Sequence, residues 1–175
     1  ELAAGVDIAF LSDHDSVVNN QRMHELSIAR GLPFIPGTEL SPSWAHFNAF
    51  PLDADKTVDI ETARATVQEL FAEARRMGAD LVGVNHPYSP YGYFESLEKD
   101  AAPGGFDAGF DLVEIESSRL DGHHGRNRRA LANVWARWNA GQRVDLAAGS
   151  DAHDVWSEAS GAARTSAYVD GNLGI

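Results

Sequence analysis

The chain has 175 residues, 43% apolar and 23% charged, which suits one globular domain with a real core and leaves too little for two. Its formal net charge of −12 argues against nucleic acid as an obligate partner, because a phosphate backbone demands a compensating basic surface. Cysteine is absent, which excludes disulfides, thiolate metal sites and a cysteine nucleophile, and no apolar run is long enough to span a bilayer as a helix.

Residues 6–11 (VDIAFL) predict a mostly buried strand that stops at Ser12-Asp13-His14-Asp15. A helix follows from 19 to 30, with Met23, Leu26 and Ala29 on one face and Gly31 as its stop. Residues 33–40 predict a second strand carrying Glu39 at its end. Residues 46–52 predict a third, with His46 and Asn48 pointing the same way. The clearest helix spans 60–77, where Ile60, Ala63, Val67, Leu70, Phe71, Ala74 and Met77 fall at helical spacing between an Asp59 cap and Gly78. Residues 81–84 predict a strand that ends at the His86-Pro87 turn. The stretch 88–110, rich in Tyr, Gly and Pro, reads as a long functional loop. A strand at 112–115, a helix marked by Leu131, Val134, Trp135 and Trp138, a strand at 144–148 and another at 165–169 complete the series. Strands alternating with helices imply a mainly parallel sheet, as a barrel or a doubly wound fold, with chemistry at the C-terminal strand ends.

Those strand ends are where the metal-ligand residue types gather. Ser150-Asp151-Ala152-His153 puts a carboxylate and an imidazole two residues apart, on one side of an extended backbone. Asp13-His14-Asp15, Gly37-Thr38-Glu39 with His46 close behind, and Asn85-His86-Pro87 repeat the theme. The set His14, Glu39, His46, His86, Asp151 and His153 suits two or three divalent ions of the Zn, Mn or Fe type, with Glu39 able to bridge two of them. Each residue alone also has a structural reading: Asp13 and Asp15 as helix caps, His86 as a turn residue, Glu39 as a surface carboxylate, His24 as solvated and His123 and His124 as loop. Their concurrence at four strand ends favours a metal site. Ions held there activate water without a protein nucleophile.

These residues resemble the PHP (polymerase and histidinol phosphatase) superfamily of metal-dependent hydrolases, and within it the CehA/McbA group. The resemblance rests on Phe10-Leu11-Ser12-Asp13-His14-Asp15, Gly37-Thr38-Glu39, the following His46, Asn85-His86-Pro87, Val113-Glu114-Ile115-Glu116 and Gly149-Ser150-Asp151-Ala152-His153-Asp154, and spans nearly the whole chain. It implies a single metallohydrolase domain over 1–175, with an α/β fold that is a distorted (β/α)7 barrel. His14 would ligate one ion, Glu39 bridge two, and His46 and His86 hold the second. Asp151 would ligate the first ion, His153 another ion or the substrate, and Asp13 would take the catalytic role of orienting a ligand or handling a proton. The family's opening His-x-His pair has no counterpart here, so the barrel is expected to be truncated at both ends, with a damaged first metal position.

The implied activity is hydrolysis of phosphoesters or related esters by metal-activated water. Carbamate or carboxyl ester hydrolysis of the CehA/McbA type, or a non-catalytic module of a larger protein, is the alternative. The expected partner is a small-molecule ester, with no nucleic acid and no membrane. A phosphate would want a rim cation, for which Arg119 is the candidate, equally readable as a surface arginine. Tyr88, Tyr91, Tyr93, Phe94 and Trp156 either line an apolar pocket or pack the long loop.

Overall fold

The computed structural model describes residues 2–115, 123–154, 156, 160–168 and 170. Its first unit is a right-sized βαβ crossover: β1 (Ala9–Leu11) and β2 (Phe34–Pro36) pair in parallel, joined by helix α1 (Asn20–Arg30). Gly31 ends α1 in the left-handed conformation (φ +62°), as its position after Arg30 predicts. The helix lies loosely, however, and none of its residues is buried.

The expected single strand over 33–40 divides at Gly37 into β2 and β3 (Thr38–Leu40). The backbone of Gly37 runs so close to the first strand that an added Cβ would meet the Phe10 ring at 2.6 Å. β3 then turns into β4 (Phe47–Phe50) through residues 41–46, a connection too short for a crossover helix, so the pair is antiparallel. β4 also runs antiparallel to β5 (Leu81–Val84), and β6 (Leu112–Ile115) and β7 (Asp145–Ala148) follow in parallel, giving the order β3-β4-β5-β6-β7. One parallel bridge, His14 to Glu39, carries the β1–β2 ladder on to β3.

This arrangement overturns the expected (β/α)7 barrel. The molecule is a mixed α/β fold with a two-stranded and a five-stranded sheet, and among the described residues no strand joins β7 to β1. Two antiparallel pairings replace the uniform parallel winding of a (β/α) barrel. Residues 165–168, expected as a strand, form none, and Val169 lies outside the described residues. Thr165 instead turns its hydroxyl to the edge of β7, accepting from Ala148 N–H at 2.8 Å and donating to Ala148 O at 3.1 Å.

Register sorts the large sheet into two faces. Phe47, Val84 and Val113 lie side by side and are fully buried, as are Ala49 and Val82. Against this side pack Val67, Leu70, Phe71 and Ala74 of α2 (Val67–Arg76), Tyr93 and Phe94 of α3 (Tyr93–Glu98), and Ala130 and Val134 of α4 (His123–Asn139). The helical periodicity over 60–77 marks buried positions correctly from Val67 onward but not before it, where Ile60 is half-buried and Ala63 exposed, and it misses the helix start. A 3₁₀ turn covers Thr62–Arg64, Ala65 is extended, and Thr66 rather than Asp59 caps α2 in a capping box with Glu69. The stretch 88–110 is no open loop either, since it holds α3, and Tyr88, Tyr93 and Phe94 are core residues. No helix among the described residues is long and apolar enough to cross a membrane.

Candidate metal centre

The other face of the large sheet gathers polar groups at one end. Glu39 and Asn48 are register partners across β3 and β4, and the bond from Asn85 N–H to the His46 carbonyl (3.0 Å) carries the β4–β5 ladder one step further. Because β4 runs antiparallel, the residue before it, His46, arrives at the same end of the sheet as His86, which follows β5. His14 reaches that end from the loop after β1, and Asp151 and His153 from the loop after β7. Strands running in both directions therefore deliver one cluster.

At its base sits the Glu39 carboxylate, 4% exposed. One oxygen, Oε2, lies 3.4 Å from His14 Nε2. The other, Oε1, accepts from the Asn85 amide at 2.6 Å and lies 3.3 Å from His46 Nδ1 and 3.5 Å from His86 Nε2. His46 Nδ1 is nevertheless a buried nitrogen without a properly directed hydrogen bond. Burial alone would raise the Glu39 pKa, but the adjacent His46, His86 and Asn85 hold it well below the usual carboxylate range.

Above Glu39 opens a cavity of about 80 Å³ lined by His14, His46, His86, Tyr91, Asp151 and His153. The rings of His46 and His86 stand 4.8 Å apart, and Tyr91 packs at 5.0 Å from each. His14 and His153 stack at 6.0 Å. Hydroxyls hold the back of two imidazoles: His14 Nδ1 lies 2.6 Å from Ser41 Oγ, and His86 Nδ1 lies 3.2 Å from Ser89 Oγ. His153 Nδ1 faces the Asp151 carbonyl at 2.9 Å, an acceptor only, so that nitrogen carries the proton.

Negative charge gathers behind the cavity as well. Glu114 on β6 accepts the His86 backbone N–H at 2.7 Å, and burial pushes its carboxyl up to about 7. Partial burial and the nearby Glu39 carboxylate also raise Asp151. For His86, burial opposes the proton, but the Glu39 contact and the surrounding carboxylates outweigh it and raise the pKa. The loops that present these groups take left-handed backbone at Asp15 (φ +50°), His86 (φ +26°) and Asp151 (φ +47°).

Five of the six metal-ligand candidates thus line one cavity, and the sixth, Glu39, forms its floor. His14, Glu39 and His46 offer ligand atoms all within 4.8 Å of one another, close enough to hold one ion. The donor chemistry fits such an ion: a buried carboxylate faces two imidazole nitrogens with no well-formed hydrogen bond to either. Comparison with known protein families and with curated proteins finds no match.

Asp13 stands apart. Its carboxylate accepts from the Asn19 amide at 2.6 Å, and its carbonyl from Glu39 N–H and Thr38 Oγ1, so it braces the β1 end rather than lining the cavity. Arg119 lies outside the described residues. Of the aromatic candidates Tyr91 alone lines the cavity, while Trp156 is 94% exposed. Ser41, Asn85, Ser89 and Glu114 received no role from the sequence. Asn85 and Glu114 fall inside the motifs named above and Ser89 three residues past His86, but only the folded chain shows that they touch Glu39, the His86 N–H and the His86 ring.

Proposed function

We propose that the chain is a divalent-metal-dependent hydrolase of ester bonds, with phosphoesters the first substrate class, as its resemblance to the PHP superfamily implies. The observation that carries this reading is the buried Glu39 carboxylate ringed by His14, His46 and His86 at 3.3–3.5 Å. His14, Glu39 and His46 would hold one ion, of the Zn, Mn or Fe type that accepts mixed imidazole and carboxylate ligands. His86, Asp151 and His153 line the same cavity and would complete that sphere or a second one. When bound, the metal supplies Lewis acidity, which lowers the pKa of water toward neutrality and offsets charge developing on the ester.

The chain's own residues do the rest. Glu39 brings the anionic charge that offsets the cation, and Asn85 fixes its orientation. Asp151 lines the open cavity, where its carboxylate can accept a proton from an entering water. A cavity of about 80 Å³ admits a few water-sized groups, well below the several hundred Å³ that enclose a whole organic ligand. It therefore takes in the reacting head of a substrate, and the leaving group stays outside against Tyr91.

The test is elemental analysis after incubation with Mn or Zn, followed by turnover of a panel of phosphoesters, carboxyl esters and carbamates. At least one ion per chain is expected, reduced in Glu39→Gln and His86→Ala, with metal-dependent hydrolysis of a phosphoester. Failure to retain any metal, or a metal-replete protein that turns over nothing in the panel, sinks the reading.

A further inference from the structure

The hydroxyl of Ser41 occupies a position in which its one proton can go to only one of two neighbours. It lies 2.8 Å from the Glu39 carbonyl oxygen, to which it donates, and 2.6 Å from His14 Nδ1. Were the proton turned to Nδ1 instead, two oxygens 2.8 Å apart would face each other with no hydrogen between them. Both contacts are satisfied together only if His14 Nδ1–H donates to Ser41 Oγ and Ser41 O–H donates to Glu39 O. The neutral His14 ring then has its lone pair on Nε2, the nitrogen that faces the Glu39 carboxylate at 3.4 Å. In that neutral ring two acceptors face each other, an arrangement that a cation between them relieves.

We infer that Ser41 is a positioning residue that sets the tautomer of His14 and thereby presents Nε2 as a ligand atom. The hydroxyl is itself tied down. Ser41 N–H donates to Asp15 Oδ1 at 2.9 Å, and Asp15 N–H donates to the same Glu39 carbonyl at 2.8 Å. That carbonyl receives two donors, and His14 and Asp15 are stitched to the chain from Glu39 to Ser41 at three points. The left-handed backbone of Asp15 is what lets its amide and its carboxylate both reach that strand. Ser41 lies two residues beyond Glu39, so one short piece of chain supplies both the central carboxylate and the group that orients its imidazole partner.

The assignment rests on the metal reading only for its effect on affinity, because the tautomer is a property of the metal-free protein. Nitrogen-15 spectra of the imidazole rings, taken metal-free near pH 8.5 where an ordinary histidine is neutral, report it directly. Wild-type His14 is expected to carry its proton on Nδ1, and Ser41→Ala to shift it wholly or partly to Nε2. Titration with Zn against a competing chelator is expected to show Ser41→Ala about ten-fold weaker, on the scale of lost outer contacts to metal ligands. Ser41→Thr should restore both readouts, and Ser43→Ala, an exposed serine two residues on, should change neither. A wild-type His14 protonated on Nε2 or on both nitrogens, or a tautomer indifferent to Ser41→Ala, overturns the inference. An Nδ1–H ring in a protein that binds no Zn at all upholds the role of Ser41 and removes the proposed function instead.

Discussion

Asp151 keeps a side chain in left-handed backbone at φ +47°, a conformation that costs a non-glycine residue about 1 kcal/mol. Its carboxylate is also placed unfavourably, since partial burial and the Glu39 charge raise its pKa above the ordinary 3.8. For an acid shifted upward the folded state binds the proton more tightly than the unfolded one. The penalty is therefore absent below the unfolded pKa and sets in as pH rises through that value. Asp151→Gly should make the metal-free protein more stable at neutral pH, raising Tm by about 2–4 °C per kcal/mol, with a smaller gain in acid. The same change should weaken metal binding. Calorimetry at neutral and acid pH with a parallel Zn titration checks both, and a metal-free variant no more stable than wild type contradicts the account. The ligand types themselves were legible because a strand end is a local signal. Their supports were not, because Ser41 reaches His14 only through a bridge 25 residues long between His14 and Glu39.

Helix α2 shows how far periodicity reads and where it stops. Val67, Leu70, Phe71, Ala74 and Met77 are all buried at the spacing the sequence displays. The earlier residues 60–64 share that spacing without joining the helix, since a 3₁₀ turn and an extended Ala65 intervene. Nothing in the period foretold the buried Glu73. Its carboxylate accepts from Arg76 at 2.6 and 2.7 Å and from Asp59 N–H at 2.6 Å, so it fastens the 57–59 segment to the helix. The Arg76 bonds, working against desolvation and helped by the Asp59 amide, lower its pKa. A carboxyl lowered on folding contributes stability above its unfolded pKa of 4.5, and that contribution disappears as pH falls through the folded value. Glu73→Gln should cost about 1.5 kcal/mol at neutral pH, the scale of a hydrogen bond to a charged group. Denaturant titration should find the gap between variant and wild type closing below roughly pH 4. A gap that persists unchanged in acid would assign the loss to packing rather than to charge.

On the scale of the whole molecule, the expected barrel failed at strand direction and closure, which local sequence does not encode. A predicted strand over 46–52 is present, but its short link to β3 forces it antiparallel, and the β7 edge meets no partner strand among the described residues. The chain's two ends are tied instead by Arg164, which donates to the Ala4 and Gly5 carbonyls at 3.0 and 3.2 Å. The fold is thus two ladders that meet at the His14–Glu39 bridge, with the β1–β2 ladder covered by a helix that buries no residue. Such a corner belongs to the low-stability end of a protein and opens before the core beneath β4, β5 and β6. An ion held by His14, Glu39 and His46 would span this seam, with His14 on the weak side and Glu39 and His46 on the strong one. Metal at about a hundred times its Kd should add roughly 2.7 kcal/mol, or about 5–10 °C in Tm for a chain of this size, and Glu39→Gln should show a smaller gain at the same metal concentration. Hydrogen exchange locates the effect: amides of β1, the His14 loop and β2 should slow markedly on metal addition while those of β5 and β6 change little. Slowing spread evenly over both sheets would mean that the ion stabilises the molecule without fastening the seam. Slowing confined to the five-stranded sheet would mean that His14 is not a ligand.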